Sequence, residues 1–483
     1  MKKHYIFSLC LCFLCTTFLS RLPAQEYNNF DLSKYYTPDI VRNSLDLNFN
    51  SAGQYSNSKS RYEDPAYYAD STSTSNINGT INSSFNTYKN TRKRISSLTL
   101  NGSFSGSYYS NLETTRLTNK RNSNAGSLGV NYSDKFYNKS TLFLSAGVIA
   151  DLNPRNYRQN EEMDLYQKKI NGKNIGYYFN PSLGIGIGRI EPVQDARQAI
   201  YVLDDLSKKG VLSRQLTNNE VFSLAQQMSK IKNKRFLDSR LRLIEEVTAI
   251  DAFFVSNGLL NKSDAAYFTT LYDNWLYGAA FERKSGQTFE FQINGSIRND
   301  YSKTETNFTL PDSVYWSKSN SNQVRGELAL VYAFEKPFKL NWQHSANAAL
   351  KAFTEPIEHT NSNSINNTES IASFNNSQIS LSGNYILGYY PNSRTNLQLG
   401  INQFFGRQIT KSTTVNVAAN QTKNINARTQ IDFSTYYYLS PQLRISGTVW
   451  AYKTYHRSNY ADSGSKANNF NAQFNATLNY AFF

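Results

Sequence analysis

The last fourteen residues of the chain, 470–483, alternate almost without a break between apolar and polar side chains. Successive side chains of a β-strand point to opposite faces, so this segment predicts a strand with one apolar face and one face of amides and hydroxyls. The even positions are Phe470, Ala472, Phe474, Ala476, Leu478, Tyr480 and Phe482, and the odd positions are Asn471, Gln473, Asn475, Thr477, Asn479, Ala481 and Phe483. A strand that is apolar outside and polar inside is what a transmembrane β-barrel requires.

The same alternation recurs along most of the chain. In one run, Leu100 and Phe104 share the apolar phase while Asn101 belongs to the polar phase. Six such runs lie within 43–190 and eight within 283–483. A soluble β-sandwich is the competing interpretation, but an even total fits the single-chain barrels of bacteria. The predicted fold class is an all-β transmembrane antiparallel barrel of about fourteen strands with an inserted α-helical bundle domain.

The N-terminus has the pattern of a secretory signal peptide. Lys2 and Lys3 precede an apolar run over 5–19, which is too short for a spanning helix. We predict a signal peptide over 1–24. All three cysteines of the chain lie within it, so the mature chain can form neither disulfides nor cysteine-based sites. Residues 25–42 are short and irregular, and we expect them to form a periplasmic N-terminal segment.

Between residues 191 and 282 the apolar residues recur with helical spacing instead. Thr217 and Glu220 form a capping box that opens one helix, and Gly210 and Gly258 stand where C-terminal caps are expected. Each of the four amphipathic stripes has a single apolar face, so the helices must pack on one another or on a partner. The sequence predicts a four-helix domain inserted between strands 6 and 7.

The connections between strands predict the topology. Short turns are expected around 89–93, 137–139, 336–338, 391–393 and 440–442. The other connections are mostly long and polar, and they lie near 57–72, 110–122, 152–172, 300–321, 355–372 and 458–466. Outer-membrane barrels have short periplasmic turns and long external loops. Since the insertion follows an even-numbered strand, parity predicts that residues 191–282 lie in the periplasm.

Several short stretches resemble those of known proteins. Tyr480-Ala481-Phe482 resembles the aromatic terminal signal of Gram-negative outer-membrane proteins, with Phe483 as an extra residue in the other phase. The stretches GRIEPVQDARQA (188–199) and KNKRFLDSRLRLIEE (232–246) look like those of a poorly characterised family of outer-membrane barrels with a periplasmic helical insertion. The resemblance implies that Tyr480, Phe482 and Phe483 are an assembly signal for the barrel-assembly machinery, while an interfacial aromatic girdle remains an open role. No activity is transferred by it.

The chain is basic, with a formal net charge of +15. Because its basic residues are spread along the chain, we expect outer-membrane lipid headgroups rather than nucleic acid as their partner. One basic cluster in the insertion is a candidate binding face for a periplasmic protein or peptidoglycan. Interleaved acids such as Glu245 favour a solvated helix face instead. The cluster consists of Lys230, Lys232, Lys234, Arg235, Arg240 and Arg242.

The sequence contains no recognisable catalytic pattern. The three histidines of the mature chain, His344, His359 and His456, adjoin no evident nucleophile or carboxylate pair. We therefore predict a protein that is not an enzyme and needs no cofactor or metal. The neutral amides of the inner phase fit either a water-filled lumen or a hydrogen-bonded plug. Two functions remain open: a channel or transporter whose periplasmic domain gates the lumen or docks a partner, and a structural or assembly component anchored by the barrel.

Overall fold

The structure is a computed structural model. It describes residue 27 and residues 30–60, 70–113, 118–138, 141–163, 166–233, 243–278, 282–309, 312–364, 369–414, 417–438, 443–460 and 463–480. The predicted signal peptide, Phe482 and Phe483 lie outside these ranges.

Fourteen β-strands make up most of the described chain. They are β1 (Ile40–Ser60), β2 (Asp70–Thr91), β3 (Arg94–Glu113), β4 (Thr118–Tyr137), β5 (Leu142–Met163), β6 (Tyr166–Pro192), β7 (Lys284–Thr309), β8 (Asp312–Phe338), β9 (Trp342–Asn363), β10 (Glu369–Asn392), β11 (Thr395–Thr414), β12 (Val417–Tyr438), β13 (Leu443–Tyr460) and β14 (Ser463–Tyr480).

Each strand pairs antiparallel with its neighbours in sequence, so the sheet runs from β1 to β14 without a crossover. The fourteen antiparallel strands of the predicted fold class are confirmed, with the helices inserted between β6 and β7. The sheet is strongly curved where the helices attach. Arg189 of β6 donates hydrogen bonds to the carbonyl oxygens of Thr91 (2.9 Å) and Arg92 (3.1 Å) at the β2–β3 turn. Strands far apart in the order therefore meet at this end.

One face of the sheet, called here the outer face, is apolar across many strands. The pairing register aligns one row through Leu45, Phe85, Leu100, Val130, Ala150, Phe179, Ile297 and Val324. A second row runs through Leu399, Phe433, Val449 and Phe474. Many of these side chains are exposed, and the face opposite, the inner face, is polar. This arrangement suits a sheet that contacts lipid on one side and water on the other.

The end of the sheet that bears the helices, called here the helical end, carries aromatic side chains on its outer face. Exposed members are Phe136, Phe338, Tyr385, Tyr437 and Tyr480. Trp342 and Tyr389 pack there with ring centroids 4.5 Å apart. Girdles of this kind mark the membrane–water boundary of transmembrane barrels. Tyr480 thus lies where an interfacial aromatic would, and its role as an assembly signal stays a prediction.

The strands are longer than a membrane requires. They span 18 to 27 residues, whereas a tilted transmembrane strand needs about 9–11. The excess lies at the end opposite the helices, called here the far end. The predictions of long polar loops near 152–172 and 300–321 are wrong. In the first case β5 runs to Met163 and β6 begins at Tyr166; in the second β7 runs to Thr309 and β8 begins at Asp312. Beyond the lipid both faces meet water, so the strands continue without their alternating pattern.

The two edges of the sheet do not pair with each other. Ile40–Ser60 and Ser463–Tyr480 are both described along their full length, yet no hydrogen-bonded register joins β1 to β14. Nearly all described side chains of both strands are exposed. A closed barrel requires the last strand to pair with the first. Since lipid cannot satisfy a row of free peptide groups, membrane insertion requires this seam to be closed.

Four helices make up the described part of the inserted domain, as predicted. They are α1 (Gln194–Lys208), α2 (Asn218–Asn233), α3 (Leu243–Ser256) and α4 (Ala265–Tyr277). Gly210 and Gly258 follow α1 and α3 with φ of 64° and 61°, the left-handed conformation that ends a helix. Across the described segments, none of the helices combines the length and apolarity that a membrane span demands.

The N-terminal segment completes the core of the helical domain. Tyr27, Phe30, Leu32 and Tyr35 are buried with the apolar faces of the helices. The ring of Phe30 lies 4.9 Å from that of Phe222 on α2, and the hydroxyl of Tyr27 accepts a hydrogen bond from the backbone N–H of Leu216 (3.2 Å). The helical domain is therefore built from two distant parts of the chain.

The predicted capping box is confirmed. The backbone N–H of Thr217 donates to Glu220 Oε2 (2.8 Å), and the N–H of Glu220 donates to Thr217 Oγ1 (3.4 Å). Arg214 also donates to both carboxylate oxygens of Glu220. The Arg214 guanidinium and the Thr217 N–H lower the pKa of Glu220 to about 2.

This pKa predicts how the stability of the helical domain depends on pH. Because the carboxylate is favoured in the folded state, its stabilising effect is complete above about pH 4.3, the usual pKa of Glu. It is lost as the pH falls towards about 2. Glu220→Gln should remove this part of the pH dependence, measured as helical circular dichroism against denaturant at several pH values. An unchanged acid profile in Glu220→Gln would contradict the prediction.

Candidate functional site

The helical domain docks on the rim of the sheet, defined here as the β8–β9 turn, the β10–β11 turn and the end of β12. Arg197 of α1 is fully buried at this contact. Its Nη2 donates to Asn341 Oδ1 (2.7 Å) and to the carbonyl oxygen of Tyr390 (3.3 Å). The guanidinium also lies 3.9 Å from the ring centroid of Tyr201. Burial lowers the pKa of Arg197.

A second buried arginine holds the same rim from the segment that leads into β7. Arg283 donates to the carbonyl oxygens of Leu340 (2.9 Å) and Trp342 (2.7 Å), and to Gln343 Oε1 (3.0 Å). Burial, and then the positive charge of Arg197, lower the pKa of Arg283 to about 10. Two guanidiniums of like charge thus share one interface. Oxygen atoms of the rim accept hydrogen bonds from both, while Arg197 Nε and Nη1 have no hydrogen-bond partner among the described residues.

The contact extends further around the rim. Arg394 in the β10–β11 turn pairs with Asp273 of α4 at 3.0 Å. The rings of Tyr277 and Tyr438 lie 5.0 Å apart, which brings the end of α4 against the end of β12. On the opposite side α2 contacts β1. The helices therefore reach from β1 to β12 across the helical end of the sheet.

The inner face just beneath this domain is filled by side chains. Phe143 is fully buried there, and Lys135 Nζ lies 4.5 Å from its ring centroid. Lys135 donates to Glu290 Oε2 (2.8 Å) and Ser145 donates to Glu290 Oε1 (2.5 Å). These bonds link β4 and β5 to β7 across β6.

The glycines of β6 make this bridging possible. A Cβ on Gly184 would lie 2.5 Å from Ser145 Oγ and 3.0 Å from Glu290 Oε1. A Cβ on Gly186 would collide with the ring of Phe143. The glycines of β6 therefore allow a polar and aromatic cluster to pack closely against the inner face of the sheet at its helical end.

The sequence-predicted basic face is divided. Lys234, Arg235, Arg240 and Arg242 lie outside the described residues. Lys230 is exposed on α2. Lys232 is instead half-buried, donating to Asp195 Oδ1 (2.6 Å) and to Gln198, with Nζ 5.7 Å from the Trp275 ring centroid. A partner-binding role for the cluster stays a prediction, and Lys232 already has partners within the domain.

The two docking arginines were missed by sequence reasoning. Arg197 lies beside the apolar positions of α1 and has the ordinary appearance of a solvated charge. One signal was present in the sequence, because Ala196, Ala199 and Ile200 place small or apolar residues around Arg197. In the structure α1 is buried on nearly every side. A helix buried all round has a partner beyond its own bundle.

No protein-family model matches the chain, and no curated protein matches it either. Among solved structures it is similar to the β domain of the Bordetella autotransporter BrkA, with 8% identity, 81% of this chain and 99% of that chain covered, and a TM-score of 0.20. A mutant of the monoaromatic hydrocarbon channel TodX matches with 9% identity, coverage of 93% and 92%, and a TM-score of 0.28. The ferric yersiniabactin uptake receptor FyuA from Yersinia pestis matches with 8% identity, coverage of 92% and 73%, and a TM-score of 0.32. At these TM-scores the likeness carries no weight for function.

Proposed function

We propose that this protein is an outer-membrane β-barrel channel whose helical domain is a lid over its periplasmic mouth. The observation that carries the proposal is the docking of the helices on the rim through Arg197, Arg283 and the Arg394–Asp273 pair. A barrel of about fourteen strands is wider than the eight that side chains alone fill, so it leaves a lumen to be closed. The buried cluster around Glu290 lies on the inner face of β4 to β7 at the same end of the sheet.

A second function is favoured by a different observation. On α4, the apolar residues Phe268, Tyr272 and Leu276 recur every fourth position and are each more than 40% exposed. Such a stripe is suited to contact with another protein. In this alternative the barrel is an anchor and the helical domain is the working surface of an outer-membrane complex.

Planar-bilayer recording tests the lid, using the Arg394–Asp273 pair. Arg394→Asp or Asp273→Arg alone places like charges together, and a partly exposed pair of this kind contributes up to about 1 kcal/mol, or roughly a fivefold change in an equilibrium. Each single variant should therefore raise the open probability by up to about fivefold, and the double swap should restore it. If neither the wild type nor any variant conducts current, the anchor function is favoured. If the wild type, both single variants and the double swap show equal open probability, this pair has no role in gating.

Cysteine labelling tests the periplasmic position of the lid. The mature chain is expected to have no cysteine, so single cysteines can be introduced without background. Cysteines at Gln226 and Asn261, both exposed on the helical domain, should resist a membrane-impermeant maleimide in intact cells and react once the outer membrane is permeabilised. A cysteine at Ser370, exposed at the far end of β10, should react in intact cells. The opposite pattern would invert the topology. Ser229 is unsuitable as a labelling site because it is fully buried.

A further inference from the structure

Two aromatic side chains lie side by side on the inner face of β13. The rings of Trp450 and Tyr452 are stacked, with centroids 5.4 Å apart and planes 15° apart, and both residues are only half-buried. They are in the polar phase of the strand, where the neighbouring strands carry amides. Water-exposed aromatic surface costs free energy, so stacked rings in a polar lumen are suited to a ligand.

A row of neutral polar groups runs past these rings. The register aligns Asn347, Asn384, Asn402, Gln430, Tyr452 and Asn471 across six strands, β9 to β14. Asn402 Nδ2 and Gln430 Nε2 donate to the two carboxylate oxygens of Asp432, at 2.5 and 2.6 Å. The bonds hold the amides in place and leave each with further donor or acceptor capacity.

The aromatic pair and the polar row, together called here the inner-face track, carry no net charge. Its one guanidinium, Arg428, lies 4.3 Å from the Tyr452 ring centroid and donates to Gln430, while Asp432 supplies the one carboxylate. A depression of about 290 Å³ adjoins the row and is lined in part by Asn384, Asn402, Phe404 and Arg428. Phe404 faces Arg428 in the register and adds a third ring.

We propose that this inner-face track binds a neutral oligosaccharide. A sugar ring presents C–H groups that stack on the electron-rich face of an aromatic ring, and its hydroxyls donate to and accept from amides. A hydrocarbon would leave the remaining donor and acceptor capacity of the amide row unused, and a charged ligand would meet no opposite net charge. The inference rests on the proposed channel and names the class of solute that the lumen takes up.

Isothermal titration calorimetry of the full-length protein in detergent tests the track. The probes are hexamers of an α-1,4-glucan, a β-1,4-glucan and a β-1,4-mannan, titrated one at a time to millimolar concentration. At least one should bind, and Trp450→Ala should weaken its binding roughly tenfold, equivalent to about 1.4 kcal/mol. Trp450→Phe should retain part of the affinity, which separates the loss of a stacking ring from misfolding.

Trp316→Ala is the matched control, because Trp316 lies on β8 in the opposite phase and away from the track. It should bind like wild type. Binding that survives Trp450→Ala unchanged, or no heat with any of the three hexamers, overturns the proposal. Calorimetry detects binding whether or not the protein conducts. If the protein binds a saccharide but passes no current in planar bilayers, the binding site is supported and the channel function is rejected.

Discussion

Replacing Leu100 by Arg is expected to destabilise the folded protein in a bilayer by roughly 2–4 kcal/mol, the cost of a charge on the lipid face near the midplane of a barrel. Leu100 lies in the middle of the apolar row that crosses the outer face of β1 to β8, and Leu399→Arg should behave in the same way on β11. The measurement is equilibrium folding into lipid vesicles against denaturant.

Asn101→Arg is the matched control for this prediction. Asn101 is the next residue on the same strand, and its side chain lies on the inner face, where Ser84 donates to its Oδ1 (2.9 Å). A charge there meets water and should be tolerated. Equal losses for Leu100→Arg and Asn101→Arg would mean that the apolar face of the sheet does not contact lipid.

Arg197→Ala should release the helical domain from the rim. The substitution removes the hydrogen bonds to Asn341 and to the carbonyl of Tyr390, and bonds of this kind to a charged donor are worth about 1.5–3 kcal/mol. The desolvation cost of the buried guanidinium is removed as well, so we expect a net loss of about 2 kcal/mol. The helical circular dichroism signal should then be lost at lower denaturant concentration than the sheet signal, with earlier proteolysis of the helices.

Arg214→Ala provides the comparison within the same domain. The Arg214 side chain is 48% exposed and pairs with Glu220 on the domain surface, so its loss should destabilise the domain much less than the loss of Arg197. It should leave the helices docked on the rim. If Arg197→Ala and Arg214→Ala unfold alike, the buried contacts of Arg197 do not hold the lid.

Local chemistry made much of this fold predictable. The capping box of Thr217 and Glu220 depends on residues three apart, and the strands within the membrane depend on the alternation that one apolar face imposes. At the far end that alternation is missing, because both faces of the strands meet water. Ser110 lies within β3, although the loss of alternation around it predicts the loop near 110–122.

The docking site of the helices was beyond sequence reasoning for a different reason. Arg197 contacts Asn341 and Tyr390, more than a hundred residues further along the chain. The small and apolar neighbours of Arg197 indicate burial, but they do not identify the rim as the surface that the guanidinium contacts. The contribution of Tyr27 and Phe30 to the helical core is equally remote, since their neighbours on α2 come from the middle of the chain.

The excess length of the strands has an electrical consequence. At about 3.3 Å per residue a strand of 27 residues measures roughly 90 Å along its axis, and even when tilted by 45° it rises roughly 60 Å. The hydrocarbon of a bilayer is about 30 Å thick. The 27-residue strands β6 and β8 therefore stand roughly 30 Å above the membrane, whereas the 18-residue strands β13 and β14 stand only about 10 Å above it. The resistance of a water-filled tube grows in proportion to its length. A pore bounded by this uneven collar should therefore pass less ionic current than an equally wide pore that ends at the lipid surface, and trimming the far-end hairpins should bring the two currents together.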